Sequence, residues 1–269
     1  MKKIVILTST ELRHKYFRVF LSQQNGIRVL KTFSEDGWSL KKQLIDAKSN
    51  LKEEHLNLRN KSEISLLKKY CDETKDNSNN FTCKKDYLST ENCLKEIKTI
   101  NPDLIVVYGT SLLAGDILNE YSNKIINVHL GLSPYYRGSG SNYFPFVNNE
   151  PEYAGATFMF LDKGIDTGNI IHQIRPVINL NDDYYKISAK FIIKMTTVYT
   201  QIIKNFDKVK IKKLKPVENK NRFYNRADFS DESIKKLKSN FENKILSKYL
   251  KEKNNRDKKV PIITQDWMI

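Results

Sequence analysis

The sequence predicts an α/β fold, with a mostly parallel twisted sheet, helices on both faces and a small, mainly helical C-terminal extension. Its short runs of Ile, Val and Leu lack polar alternation, which is typical of parallel strands buried on both sides. The first run is followed by a helical pattern and a second run, which makes a βαβ opening. The 269 residues suffice for one such domain and an appendage.

The opening unit is predicted from its apolar runs and its capping residues. The first strand is expected over residues 3–7, and the hydroxyl groups of residues 8–10 can cap a helix over 11–24. Asn25-Gly26 ends this helix, and the second strand is expected over 27–33. The turn after the first strand has no glycine-rich phosphate loop.

The next part of the chain predicts helices and one more buried strand. Leu and Ile recur at helical spacing over residues 40–70, and the polar residues 71–80 read as a loop. A helix is expected over 86–100, closed by Asn101-Pro102, and a buried strand over 103–108.

The remaining elements complete the sheet and form the extension. Apolar runs predict strands over 125–129 and 156–161, followed by a long helix over 182–206. Lysines that alternate with apolar residues over 209–214 suggest an edge strand. Two amphipathic helices then run to about residue 253. We place the core domain at residues 1–205 and the extension at 206–269.

Composition and charge limit the kinds of protein and partner. The mean hydropathy is −0.55 and no run of about 18 apolar residues exists, so no transmembrane helix and no membrane partner are expected. The three cysteines are odd in number and lack metal-ligand spacing, which indicates reduced thiols in a cytoplasmic protein without a metal site. A net charge of +15 fits a nucleic-acid partner, an anionic small substrate or a general lysine bias. Because the lysines are scattered, we favour the lysine bias.

Three polar side chains stand out at strand ends and turns. Asn127 and His129 close the strand over 125–129, and the period-2 geometry of a strand puts them on one face. Asp166 lies in a turn bracketed by Gly164 and Gly168, a typical place to aim one carboxylate at a fixed point. One amide, one imidazole and one carboxylate are therefore expected near one another.

These residues carry a family resemblance. Asn127-Val128-His129, Ser133-Pro134-Tyr135-Tyr136-Arg137-Gly138 and Gly164-Ile165-Asp166-Thr167-Gly168 appear in the order and spacing of a known signature. The stretch resembles the catalytic core of the 10-formyltetrahydrofolate-dependent formyltransferases, over roughly residues 1–205. The resemblance implies a Rossmann-like formyltransferase catalytic domain that takes 10-formyltetrahydrofolate as co-substrate and needs no metal.

The resemblance also implies roles for individual residues. The catalytic residues would be Asn127, His129 and Asp166. The folate would lie between two turns, the one after the strand over 103–108 and the one that carries Asp166. The residues in contact with it would be Tyr108, Gly109, Thr110, Ser111, Leu112, Gly164 and Ile165. From the residues themselves we expect Arg13 and His14 either to contact an anionic acceptor or to lie on a solvated helix face. Arg137 would orient carboxylates or brace its loop, and Tyr143 would contact a base or sugar or lie in the core.

The acceptor amine remains open at this stage. The chain lacks the phosphate loop of the glycinamide ribonucleotide enzymes and the C-terminal barrel of the methionyl-tRNA enzymes. It resembles most the branch that formylates nucleotide-linked amino sugars. The alternatives are phosphoribosylglycinamide or methionyl-tRNA formyltransferase, or a non-catalytic basic nucleic-acid-binding protein on this scaffold. The sequence leaves a homodimer open, and small-molecule substrates are the expected partners.

Overall fold

A computed structural model describes residues 1–37, 40–212 and 221–268. In chain order the strands are β1 Lys2–Ser9, β2 Ile27–Asp36, β3 Asn80–Lys84, β4 Leu104–Val107, β5 Ile125–His129, β6 Tyr136–Gly138, β7 Ala156–Phe160, β8 Ile170–Ile174 and β9 Arg222–Tyr224. The helices are α1 Leu12–Ser22, α2 Leu40–Ala47, α3 Asn50–Glu63, α4 Lys69–Glu73, α5 Glu91–Ile100, α6 Asp116–Glu120, α7 Phe144–Val147, α8 Tyr184–Lys204, α9 Asp231–Glu242 and α10 Ile245–Lys258. A π-helical segment, Ile64–Lys68, joins α3 to α4.

The described residues form a seven-stranded sheet in the order β3-β2-β1-β4-β5-β7-β8. The first five strands of this order are mutually parallel, and β7 runs antiparallel to both of its neighbours. The fold class predicted from the sequence is therefore confirmed, as are the strands expected over 3–7, 27–33, 103–108 and 125–129. β6 and β9 pair separately as a small parallel sheet.

Alternate residues of the central strands enter different cores, because successive side chains point to opposite faces. Ile4, Ile6 and Ile126 pack on one face with residues of α1 and α8. Val5 and Leu7 pack on the other face with residues of α5 and α6. A further core joins the loop after β5 to α9 and α10. Helices thus cover both faces, and the carboxyl ends of the parallel strands remain open at one edge.

Several expected boundaries were wrong. The loop expected over 71–80 begins in α4, and β3 follows it where no strand was expected, because only Cys83 of this edge strand is buried. The helix expected from residue 86 begins at Glu91, where the Thr90 side chain caps it. The helices predicted over 40–70 are present, with a break before α3 at Ser49, which caps that helix. Residues 209–212 form no strand, and residues 213–214 lie outside the described residues.

Candidate active site

A cleft of about 600 Å³ opens at the carboxyl edge of the sheet. The ends of β4 and β5 and the turn after β7 form its floor and walls, as expected for a ligand site in an open α/β sheet. Asn127, His129 and Asp166 all line it. The antiparallel pairing of β5 with β7 brings the Gly164–Gly168 turn, which carries Asp166, over the end of β5, since Asn127 pairs with Met159.

The imidazole of His129 lies between two hydrogen-bond acceptors. Its Nδ1 is 3.2 Å from Asp166 Oδ1, and its Nε2 is 3.2 Å from the Tyr136 carbonyl oxygen. Burial lowers the pKa of His129, whereas the Asp166 carboxylate and the Tyr136 carbonyl oppose this by stabilising the imidazolium. An imidazole that faces an acceptor at each nitrogen is prepared to hold a second proton when one arrives.

Asp166 is fixed by its turn and by the loop opposite. Its backbone adopts a left-handed conformation with φ of 54°, inside the Gly164–Gly168 turn. The Gly138 amide donates to Asp166 Oδ2 over 2.9 Å, while Oδ1 faces His129. The turn itself is closed by Asp162, which accepts hydrogen bonds from the Gly164 amide and the Thr167 hydroxyl. The carboxylate therefore has one orientation.

Asn127 supplies the hydrogen-bond donor of the group. It is partly exposed at the end of β5, and within the described part of the chain no hydrogen bond engages its side-chain amide. The amide group is thus available to a bound molecule in the cleft, beside the imidazole that shares its strand face.

The predicted folate residues line the same cleft. One wall is formed by Tyr108, Gly109, Thr110, Ser111 and Leu112. Gly164 and Ile165 line the cleft from the turn that carries Asp166. Leu112 is 71% exposed and Ile165 is 39% exposed, so the cleft presents apolar surface as well as backbone groups. Apolar surface with a few placed polar groups is typical of sites for planar organic ligands.

Glu35, which the sequence reasoning missed, holds this wall in place. Its fully buried carboxylate accepts from the Ser111 amide at 2.7 Å, the Ser111 hydroxyl at 2.8 Å and the Asp86 amide at 2.7 Å. The sequence did carry a signal for this role, since Glu35 is a polar residue at the carboxyl end of an apolar strand, and ligand sites of open α/β sheets lie at the carboxyl ends of the strands.

The Arg13–His14 pair lines the cleft but carries one charge rather than two. Burial and the neighbouring Arg13 lower the pKa of His14 to about 3, so the ring is neutral at pH 7. The ring packs 4.8 Å from that of Tyr108, and its Nε2 would lie 2.2 Å from a Cβ at position 109, where φ is +70°. Only glycine fits that approach and that backbone.

Arg13 is a buried cation with a fixed partner. Its guanidinium group contacts the Glu63 carboxylate. Burial alone would lower the pKa of Arg13, but nearby acidic groups, Glu63 first, raise it above its ordinary value. The neighbouring Arg59 donates to Gln43, which in turn donates to Glu11, so this corner of the cleft is a connected polar network.

The other two predicted acceptor residues lie outside the cleft lining. Arg137 donates to Asn221 Oδ1 over 3.0 Å and lies 3.5 Å from the Ile165 carbonyl oxygen, so it braces its loop, the second of the two roles expected for it. Tyr143 is buried, its hydroxyl lies 3.0 Å from Ser233 Oγ, and its ring packs edge-on against those of Phe144, Tyr184 and Phe229. Tyr143 therefore occupies the core, the second of the two positions expected for it, and is not a contact residue of the cleft, because an aromatic residue in a sequence shows no sign of which side of a loop is buried.

Within the described residues, no cluster of three or more His, Cys, Asp or Glu side chains could hold a metal ion. All three cysteines are free and buried. In the same part of the chain, no helix has the length and apolar character needed to cross a bilayer.

Comparisons with known proteins identify the family of the chain. The formyl transferase family pattern matches residues 22–203. A curated methionyl-tRNA formyltransferase of Thermodesulfovibrio yellowstonii is 32% identical over 130 residues, which cover 48% of this chain and 41% of that protein. The match thus spans less than half the length of that relative.

Solved structures share the fold. A sugar N-formyltransferase from a Shewanella species superposes with a TM-score of 0.56 at 15% identity, covering 88% of this chain and 87% of that one. Glycinamide ribonucleotide transformylase 1 from Symbiobacterium toebii superposes with a TM-score of 0.54 at 18% identity, covering 79% and 95%. At such identities the likeness concerns the fold alone. Because the family pattern matches more than half of this chain, the chain belongs to the formyl transferase family.

Proposed function

We propose that this protein transfers a formyl group from 10-formyltetrahydrofolate to the primary amine of a nucleotide-linked amino sugar. The observation that carries the proposal is the group formed by Asn127, His129 and Asp166 at the carboxyl edge of the sheet. The group offers an amide donor, an imidazole and a carboxylate, which are the roles that formyl transfer requires.

The chemistry proceeds by attack and collapse. The amine lone pair forms a bond to the formyl carbon, and the carbonyl π electrons move to oxygen. The oxyanion lone pair then re-forms the C=O bond as the carbon–N10 bond of the folate breaks. N10 takes the electron pair of that bond and a proton, and the former amine loses a proton. No side chain needs to form a covalent bond to the formyl group.

Each residue has a defined part in these steps. The Asn127 amide donates to the developing oxyanion. His129 exchanges its contact with Tyr136 for the substrate, donates to the oxyanion as imidazolium and passes protons between the two nitrogens. Asp166 keeps the ring oriented through Nδ1 and stabilises its charged form.

The donor fits the wall between β4 and the catalytic turn. Backbone groups of residues 108–112 face the polar edge of a pterin, and the exposed side chains of Leu112 and Ile165 cover its ring faces. Glu35 fixes this wall through Ser111, so the wall needs little ordering when the folate binds.

Two features support an amino-sugar nucleotide as the acceptor. The chain lacks a glycine-rich phosphate loop after β1, and the described residues after α8 are mainly helical rather than a barrel. Methionyl-tRNA is the second candidate, favoured by the net charge of +15, which suits a polyanion.

The test is a turnover assay. The full chain is incubated with 10-formyltetrahydrofolate and, separately, with amino-sugar nucleotides, glycinamide ribonucleotide and methionyl-tRNA, and the products are analysed by mass spectrometry. One added formyl group on an amino-sugar nucleotide alone is the expected result. Formylation of glycinamide ribonucleotide or of methionyl-tRNA, with none of any amino-sugar nucleotide, would overturn the sugar assignment. If no amine were formylated, the proposed activity itself would be overturned.

A further inference from the structure

The C-terminal extension is joined by backbone pairing to β6, which lies in the loop that follows β5. β9 runs parallel to β6, with Arg137 opposite Phe223 and Gly138 opposite Tyr224. The Ser139 amide donates to the Tyr224 carbonyl oxygen over 2.8 Å. Gly138 has φ of +83° and would place a Cβ 2.3 Å from that same oxygen, so the close approach requires glycine. The Gly138 amide also holds Asp166, so one short strand links the extension to the catalytic carboxylate.

Side chains hold the extension in this position. The Tyr224 ring stacks on that of Phe144 with centroids 3.7 Å apart, and its hydroxyl accepts from Asn148 over 2.8 Å. Arg222 forms an ion pair of 3.1 Å with Glu150. Asn225 caps the short helical turn that follows. Contacts on both sides of the strand therefore fix where the neighbouring side chains point.

The result is a cleft wall made of residues 223–226, which lie beyond the family match at 22–203. Phe223 is 44% exposed, and the Arg137 guanidinium carbon lies 6.0 Å from the centroid of its ring. Arg226 is exposed on the same wall. Packing in a hydrophobic core does not account for Phe223, because its large aromatic ring is exposed at the cleft.

The chemistry of this wall fits a nucleotide. An exposed aromatic ring stacks on any nucleobase, because every base has a π face. A guanidinium group matches the oxygen pairs of a phosphate with its fork of N–H donors. A flat ring and a guanidinium group a few residues apart therefore suit a base and its phosphates together.

We propose that residues 223–226 form the subsite for the nucleoside diphosphate part of the acceptor, with Phe223 stacked on the base and Arg226 on the phosphates. The identity of this ligand as part of the acceptor rests on the proposed function. The subsite belongs to the extension of this chain and not to the domain matched by the family pattern.

The test is equilibrium binding by calorimetry, with the full chain and with UDP and dTDP as probes. Phe223→Ala should bind the better probe at least about tenfold more weakly, the effect expected for a lost stacking ring. Phe223→Leu keeps the bulk without the ring and should show the same loss, which separates stacking from misfolding. Phe81→Ala is the matched control, because Phe81 is 43% exposed on β3 and is not part of this wall.

A second binding experiment tests the phosphate contact. Arg226→Gln should weaken UDP binding while leaving the much weaker binding of uridine unchanged, and Arg28→Gln, an exposed arginine on β2, should alter neither. Equal binding by wild type and Phe223→Ala, or no binding of either diphosphate by wild type, would overturn the subsite.

A third arm distinguishes a tRNA end from a small nucleotide. Binding of a CCA oligoribonucleotide in preference to both diphosphates, lost in Phe223→Ala, would also overturn the proposal. Phe223-dependent UDP or dTDP binding by a chain that formylates no amine would support the subsite and refute the proposed function. The two proposals can therefore fail separately.

Discussion

At the scale of single residues, the carboxylate of Asp166 shows how its site is ordered. One oxygen faces His129 and the other accepts from the Gly138 amide. A carboxylate held at both oxygens cannot rotate away when the imidazole changes protonation state. Orientation and charge stabilisation are therefore supplied by the same side chain.

Replacing Asp166 by Asn should lower kcat by at least about a hundredfold, the usual scale for acid–base groups. An amide keeps the size of the side chain but cannot stabilise an imidazolium. His129→Ala should lose as much. Steady-state kinetics measures the effect, and Asp46→Asn, at an exposed position of α2, serves as the control. Retention of more than a tenth of the wild-type kcat in Asp166→Asn would remove that residue from the mechanism.

Glu35 acts through another residue and is a positioning residue. Glu35→Gln puts an NH₂ group against amide and hydroxyl donors, so the Ser111 wall should lose its fixed position. The KM for the folate should rise about tenfold while the KM for the acceptor stays unchanged. Glu242→Gln, at an exposed site on α9, is the control. An equal rise in both KM values would indicate a general structural defect instead.

At the scale of elements, the pairing of β5, β7 and β8 fixes the start of the loop that follows β5. His129 pairs with Thr157 across the antiparallel ladder. The Thr157 hydroxyl donates to the Gly131 carbonyl oxygen and accepts from the Ser133 amide and from Gln173. One buried hydroxyl thus holds both ends of the turn that follows His129.

Thr157→Val keeps the shape of the side chain and removes these three hydrogen bonds. Because two donors and one carbonyl group are left buried without that partner, the free energy of unfolding should fall by about 1–3 kcal/mol. Urea unfolding measures the change, and kcat should fall with it as the loop loosens. Thr197→Val, at an exposed site on α8, should change neither quantity. An unaltered unfolding curve for Thr157→Val would show that the hydroxyl does not hold the loop.

At the scale of the whole molecule, burial lowers the pKa of all four histidines. The values fall to about 3 for His14, about 3 for His55 and about 4 for His172, and the pKa of His129 is also lowered. In the unfolded chain each would titrate near about 6.5. The unfolded state therefore binds more protons below that pH, and stability falls as the pH decreases.

The free energy of unfolding should be highest above pH 6.5 and should drop between pH 7.5 and 5. His14, His55 and His172 can each contribute up to about 2 kcal/mol to that drop, from about 1.4 kcal/mol per pH unit below 6.5. Urea titrations at several pH values measure the slope, and His55→Gln should reduce it by about one proton. A stability that stays flat from pH 7.5 to 5 would contradict the buried, neutral state of these rings.

The end of the chain also acts on the whole molecule, because it covers an edge of the sheet. The Ile263 carbonyl oxygen accepts from the Gln173 amide, and the Gln265 amide donates to His172 Nδ1. The Gln265 side-chain amide also donates to the Ile171 carbonyl oxygen over 2.7 Å, so backbone groups on the outer side of β8 are paired that would otherwise be left open. The division at residues 205 and 206, a homodimer and a cytoplasmic location stay predictions from the sequence.

The sequence by itself determined the fold class, the four parallel strands named above and the grouping of Asn127, His129 and Asp166. Apolar periodicity and the order of a motif are local properties, and a strand fixes the side of each residue within itself. Only the tertiary structure decided that His14 is neutral, that Tyr143 is buried and that Glu35 holds the Ser111 wall of the cleft. It alone joined β9 to β6, across more than eighty residues of chain. Burial, pKa and long-range pairing depend on which distant segments meet, and no local pattern of residues records that.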